Sequence, residues 1–346
     1  MLYIPSQTPY DFYTREYEKG LQLYSSGVLI MDKSADLLPD HFRFVKGVVD
    51  SSDFSLNISR EVLQHNRQLK VIANALEKKI KSELLKLQKE DKEKYGQFWK
   101  AFGLQLKFGM VADYGKNKDM LQNLLMFWSS KENENTTLAA YKDRMPEDQP
   151  YYYYACGESA EKIAKLPQVE RILDKGYEIL YCTDDVDDFV MRAMDEIDGK
   201  KIKSVNDEDA LPQSEEEKKA AEEKAEAGKE VLEAVKEALG ELVHEVRISH
   251  ILKTGACCLT ADGPVSLEME KYMRKVDGDH AMKAQRVLEL NPDSVPYAAV
   301  KSALEAGDKE KVAKYAKLLY GQALLMADLP LEDPAAYAQL VCSLMV

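Results

Sequence analysis

The stretch Gly47-Val48-Val49-Asp50-Ser51-Ser52-Asp53-Phe54-Ser55-Leu56-Asn57-Ile58-Ser59-Arg60-Glu61-Val62-Leu63-Gln64 decides how the rest of this 346-residue chain is read. Val48 and Val49 close a β-branched run, Asp50 to Asp53 form a polar turn cluster, and Asn57 or Ser59 can cap a helix that runs past Leu63. Arg60 and Gln64 then share a helix face, because four residues make about one turn. A guanidinium and an amide projecting together form a donor fork suited to an anion. On a helix such side chains are ordinarily just solvated. Arg60, however, opposes the positive end of the helix dipole, so helix stability does not explain it, although Glu61 offsets the small cost.

N-terminal to this stretch the runs Leu21 to Tyr24, Val28 to Met31 and Phe44 to Val49 are separated by Gly20, Gly27 and the Pro39-Asp40 break, and Leu2-Tyr3-Ile4 is strand-like. These predict a mixed sheet, with a short helix over Ala35 to Phe42. C-terminal to it, Leu69, Ile72, Leu76, Ile80, Leu84 and Leu87 recur every three or four residues and bury one helix face. Lys78, Lys79, Lys81 and Lys86 lie off that stripe as solvated charge. Tyr95 to Trp128 alternates helical patterns with Gly103, Gly109 and Gly115, and its aromatics call for a compact helical connector. Tyr151 to Cys156 is a strand, Glu158 to Lys165 and Val169 to Lys175 are helices, and Tyr177 to Cys182 is a second strand. Strand, crossover, strand predicts a parallel pair. Ser204 to Lys229 is charged and of low complexity and reads as a linker running into a helix, followed by an amphipathic segment from Val231 to Leu242. Val246 to Leu252 and Cys257 to Thr260 are strand-like. Helices are expected over Leu267 to Lys275, Val295 to Leu304 and Lys309 to Met326, with a last one capped by Asp333 with Pro334 in its first position.

Composition excludes several classes. Charged residues make up 31% and the formal net charge is −13, which argues against a nucleic-acid surface. Five cysteines without a Cys-x-x-Cys pair speak for a reducing compartment and a cytoplasmic location, and against zinc. No apolar run is long enough to span a membrane. None of the 17 glycines is two positions from another, so no Gly-x-Gly or Walker loop exists and no nucleotide pocket is expected. His244 and His250 are six apart, which is wrong for two metal ligands on one helix face, and no metal is expected. Asp184, Asp185, Asp187 and Asp188 follow a strand where a helix should start, so they read as an acidic first turn rather than an ion site. Cys257 and Cys258 would point to opposite faces of a strand and serve packing.

Gly47 to Ser51 followed by Leu56-Asn57-Ile58-Ser59-Arg60-Glu61-Val62-Leu63-Gln64 resembles the catalytic-loop signature of the ninety-kilodalton heat-shock chaperone family, in its bacterial form. Leu2 to Phe12 resembles an interior segment of that family's middle domain, so the resemblance implies a chain without the N-terminal ATPase domain. Met269-Glu270-Lys271-Tyr272-Met273-Arg274 resembles the family's client-contacting helix, and Gln322 to Leu325 with Leu331 to Pro334 resembles its dimerisation domain. The implied fold is an α+β / α/β multidomain one, in which a middle domain of two α/β subdomains joined by a helical connector precedes an α+β C-terminal dimerisation domain. The expected boundaries are 1–90 for the large subdomain, 91–145 for the connector, 146–205 for the small subdomain, 206–229 for the charged linker and 230–346 for the dimerisation domain.

Three sites follow from the resemblance. Arg60 and Gln64 would contact the γ-phosphate of ATP, held with Mg²⁺ in the full-length protein and not by this chain alone. Leu267, Met269, Tyr272 and Met273 would bind non-native client proteins. Val312, Tyr315, Leu319, Ala323 and Met326, with Tyr337, Val341 and Leu344, would hold a homodimer through apolar stripes unsuited to water. The rival reading is the transducer part of a related ATPase of the type II topoisomerase or mismatch-repair kind, which would need a basic groove for DNA. A nucleotide-independent dimeric scaffold is the third.

Overall fold

The computed structural model describes residues 1–52, 54, 67–212 and 215–345, with the side chains of all but 215–218, 221 and 279 among them. The chain forms two compact units, one of Met1–Phe127 with Asn135–Asp143 and one of Trp128–Glu134 with Arg144–Val346.

In the first unit β1 (Leu2–Tyr3), β2 (Leu21–Ser25), β3 (Val28–Ser34) and β4 (Lys46–Asp50) make a four-stranded sheet in the order β1-β4-β2-β3. β2 and β4 are parallel and the outer pairs antiparallel, which is the predicted mixed sheet. The helix expected over 35–42 is instead two 3-10 turns, Ala35–Leu37 and Asp40–Phe42. Pro39 divides them, since its extended backbone and missing N–H cannot carry a helix through. α1 (Arg67–Glu90) buries Leu69, Ile80 and Leu84 and exposes Lys78, Lys79 and Lys86, as its periodicity requires. α2 (Lys92–Val111) is capped by Asp91, which accepts from Lys94 N at 3.0 Å. Where the sequence suggests helical pieces broken at Gly103 and Gly109, one helix runs through both. Gly109 is there for closeness: a Cβ would lie 2.2 Å from the Cβ of His41. His41 is buried with Nε2 3.1 Å from Glu77 Oε1, and burial pushes its pKa down to about 4. The imidazole is therefore neutral at pH 7 and donates its Nε2–H to Glu77. Phe44 stacks on Phe102 and meets Phe98 edge-on, which gives the α2 aromatics their partners. α3 (Lys118–Leu121), β5 (Met126–Ser129), β6 (Asn135–Thr137) and α4 (Leu138–Arg144) follow.

The second unit begins with a layer built from β7 (Tyr152–Cys156), α5 (Ala160–Ile163), α6 (Pro167–Asp174), β8 (Ile179–Cys182), α7 (Asp187–Met194), β9 (Glu196–Ile197) and β10 (Lys200–Ser204). Its strands run β5-β8-β7-β10-β9, with Trp128 and Ser129 of β5 antiparallel to β8. β7 is parallel to β8 and to β10, the first of these pairings being the predicted one. Tyr153, Ala155, Ile179 and Tyr181 face a core with Ile163, Val169 and Ile172. Alternation therefore turns Tyr154, Cys156, Leu180 and Cys182 to the other face.

α8 (Glu215–Leu239) is one helix of 25 residues. Most of the run read as a linker, from 215 to 229, is thus helical, because Ala, Glu and Lys are strong helix formers and Val231, Val235 and Leu239 anchor the far end. β11 (Glu245–Ile248), β12 (Cys257–Asp262) and β13 (Gln285–Leu290) form a sheet in the order β11-β13-β12, with β13 parallel to β11 and antiparallel to β12. α9 (Leu267–Asp277), α10 (Val295–Glu305), α11 (Lys309–Met326) and α12 (Pro334–Ser343) stand where the sequence puts helices. Asp333 caps α12 by accepting from Ala336 N at 2.9 Å. Cys257, Leu259, Leu288 and Leu290 meet Val235, Val300 and Leu319 in the core. Cys258 lies on the opposite face with Ile251 and Leu252, as strand alternation requires. Among the described residues no helix is long and apolar enough to cross a membrane.

Candidate functional site

Of the three sites read from the sequence, Arg60 and Gln64 lie outside the described residues. Of the residues before them, β4 ends at Asp50, and Phe54 is buried with its carbonyl accepting from Ser25 Oγ at 2.7 Å.

α9 is held at its start and in its middle. Ser266 caps it, accepting from Met269 N at 3.1 Å while its hydroxyl donates to Asp188 Oδ2 at 2.6 Å. Asp188, itself buried, also accepts from Tyr154 OH at 2.8 Å and Arg192 Nε at 3.0 Å. Asp187 and Asp188 of the acidic cluster form the first turn of α7, as read, and both are buried, Asp188 as the post on which α9 rests. Midway along α9, buried Glu270 accepts from Arg286 Nη2 at 2.5 Å and from Ala284 N at 3.0 Å. Arg286 Nη1 continues to Tyr320 OH at 2.7 Å. A buried ion pair so fully bonded fixes orientation more than it adds stability. Leu267, expected among the client contacts, sits in the core and is an anchor instead. Met269, Tyr272 and Met273 remain half-buried, Tyr272 resting edge-on against Phe189 at 5.3 Å. Val276 in the last turn of α9 and Met282 beyond its end are 64% and 63% exposed. Sequence reading missed Asp188, Ser266, Glu270 and Arg286 as the fixtures of this helix. Only Ser266, a cap residue before an apolar run, carried a local signal.

The stripe on α11 has a different destination from the one expected. Val312, Leu319 and Ala323 are buried in this chain's own core against β12 and α8, with Tyr315 and Met326 packed half-buried at its margin. The buried part of this face is covered by the chain's own elements. α12 differs, because it buries no residue, although Tyr337, Leu340, Val341 and Leu344 line one side of it half-covered. It lies close on α11 at Gly321, where a Cβ would come within 2.2 Å of the Tyr337 ring.

Two cavities of about 410 Å³ open in the second unit. The first is walled by Glu158, Asp184, Asp185, Asp188, Glu268 and Asp328 against Lys271, Arg274 and Lys275, the second by Asp195, Asp207, Glu208, Asp209, Asp262 and Glu289 against Arg192, Lys201, Lys203 and Arg247. Carboxylates outnumber cations in both, so neither fits a nucleotide polyphosphate. Burial raises the Glu268 and Glu289 pKa values. Among the described residues no group of three His, Cys, Asp or Glu side chains could hold a metal ion.

The family model described as Hsp90 protein matches residues 1–346. The chain belongs to the Hsp90 protein family. It is 51% identical over 345 residues to the chaperone protein HtpG of Clostridium botulinum (strain Langeland), 51% over 346 to that of Bacillus subtilis (strain 168), and 52% over 345 to that of Clostridium perfringens. Each alignment takes in 100% of this chain and 55% of the relative, so this Hsp90-family chain spans about half the length of the curated proteins it matches.

Proposed function

We propose that this chain carries the client-holding and pairing parts of an Hsp90-type chaperone, acting in the cytoplasm on non-native proteins as a homodimer. The observation that carries the reading is α9, whose backbone is fixed by Ser266–Asp188 and Glu270–Arg286 while Met269, Tyr272 and Met273 keep part of their surface open. Flexible thioethers beside an aromatic ring adapt to varied apolar partners, and a rigid mount lets them do so without unfolding. Pairing is assigned to α12, through Tyr337, Val341 and Leu344, with Tyr315 and Met326 at its border. Arg60 and Gln64 are assigned to the γ-phosphate of ATP held with Mg²⁺ by a separate nucleotide domain. This chain alone should therefore show no heat of ATP binding in calorimetry.

The deciding experiment replaces Met269 and Met273 by Ser and follows suppression of a model substrate's aggregation together with the melting temperature. The reading expects a several-fold loss of suppression at nearly unchanged stability. Full suppression by the variant would defeat it. Tyr272 is left in place, because its ring supports α9 on Phe189.

A further inference from the structure

Cys156 and Cys182 are the last residues of β7 and β8, and they are directly opposite one another in the parallel pairing. Neighbouring strands lie about 4.8 Å apart, inside the Cα separations of about 4.4–6.8 Å that a disulfide spans. Strand alternation turns both side chains to the same face, away from the core of Tyr153 and Ile179. Their thiols are in hydrogen-bonding contact, and neither is in a disulfide. The register beneath them is pinned, since Gly157 N donates to Cys182 O at 3.1 Å. Both line the 410 Å³ cavity whose far wall is formed by Glu268, Lys271 and Arg274 of α9. Cys156 is half-buried at its edge and Cys182 is buried behind it. The remaining cysteines offer no such pairing, because Cys257 and Cys258 face opposite sides of β12 and Cys342 is exposed on α12.

We propose that Cys156 and Cys182 form a redox-sensitive dithiol, which a peroxide entering the cavity converts into an intrachain disulfide beneath α9. Cys156 sulfur, having given its proton to water, attacks one peroxide oxygen. The O–O bond breaks, the departing hydroxide takes up a proton to become water, and Cys156 is left as a sulfenic acid. Cys182 sulfur then attacks the Cys156 sulfur, the S–O bond breaks, and the hydroxyl leaves with the Cys182 proton as a second water. Two thiols and one peroxide thus give one disulfide and two waters, with two electrons passing from the sulfurs to the peroxide oxygens. The hydrogen bond to Cys182, and burial, hold the Cys156 thiol well above the ordinary range. The thiolate is therefore scarce at neutral pH, and the rate should climb about tenfold per pH unit between about pH 7 and pH 9.

The test uses the full chain carrying Cys342→Ser, reduced, treated with hydrogen peroxide, quenched with iodoacetamide and mapped by mass spectrometry. The expected product has lost two hydrogens, contains a peptide joining Cys156 to Cys182, and regains both thiols with dithiothreitol. Cys156→Ser, at the more open position, should abolish the link while keeping a native circular-dichroism spectrum, and Cys182→Ser should do the same. Two alkylated thiols at 156 and 182 after prolonged peroxide, a sulfinic acid at Cys156 without any link, or a crosslink only between chains would each overturn the proposal. The disulfide does not depend on α9 binding clients, so the aggregation assay and the mass map can fail independently.

Discussion

α11 and α12 are neighbouring helices of similar apolar character with opposite fates. α11 buries Val312, Ala316, Leu319, Tyr320, Ala323 and Leu324, while α12 buries nothing. Read as sequence, both present an apolar stripe that water should not see. The structure covers one stripe with the chain's own β12, α8 and α10 and leaves the other half open. Periodicity identifies the apolar face of a helix and carries no information on what covers it. A stripe becomes evidence for an external partner only after the chain's own elements have been subtracted.

The contrast first predicts an effect on assembly. Removing residues 333–346 should raise the dimer dissociation constant at least about a hundredfold, roughly 3 kcal/mol, and leave the circular-dichroism spectrum of the remainder native. A shortened chain that stays dimeric in light scattering at the same concentration would move the interface elsewhere. Removing 309–346 as well should unfold the three-stranded sheet's cover, so that deletion reports on folding rather than pairing.

Leu319→Ala addresses α11 alone. It should lower stability by about 3–5 kcal/mol in urea unfolding, the cost of an unfilled site in a packed core. A cost near zero would mean that α11 is not the core element described here. Acid probes the first unit through one buried group. His41 has its pKa lowered to about 4 by burial, so the folded state takes up its proton later than the unfolded chain does. Its contribution to stability is complete above the unfolded pKa of about 6.5 and is lost as pH falls toward 4, on the order of 3 kcal/mol. In the second unit burial also lowers the pKa of His250, so the two units are told apart by substitution rather than by acid alone. His41→Asn should flatten the pH dependence, and an unaltered profile would assign the acid response to another group. The smallest effect belongs to Val341→Ser, expected to weaken the dimer about tenfold, or about 1.4 kcal/mol, with the melting temperature of the dilute monomer nearly unchanged.

Elements with strong local signals were legible in the sequence: the mixed sheet of the first unit, the parallel β7–β8 pair, the α1 stripe and the Asp333-Pro334 start of α12 all stand as expected. β13 was not, because Gln285, Arg286 and Glu289 interrupt Val287, Leu288 and Leu290. Glu289 is nevertheless buried, accepting from Ser249 Oγ at 2.7 Å and Thr260 Oγ1 at 2.9 Å. β10 is hidden in the same way, behind the lysines at 200, 201 and 203, and β9 is only two residues long. The charged run of α8 reads as a linker because high polarity masks helix propensity when the anchoring apolar residues come only at the far end. For α9 the open side chains could be named from sequence, but not the mount, since Asp188, Glu270 and Arg286 come from segments far apart along the chain and meet only in the fold.

The two adjacent cysteines of β12 make a matched pair of clocks. Cys257 lies under α11, where its Sγ donates to Leu319 O at 3.3 Å, and burial holds its thiol up to about 12. Cys258 is sealed on the other side of the sheet by Ile251 and Leu252. A thiol reagent reaches each only when the layer above it lifts, so the two labelling rates measure the opening of opposite faces of one strand in a single sample. If α11 detaches before the rest of the domain, Cys257 will be labelled ahead of its neighbour one residue away; if the sheet opens as a unit, both will react together.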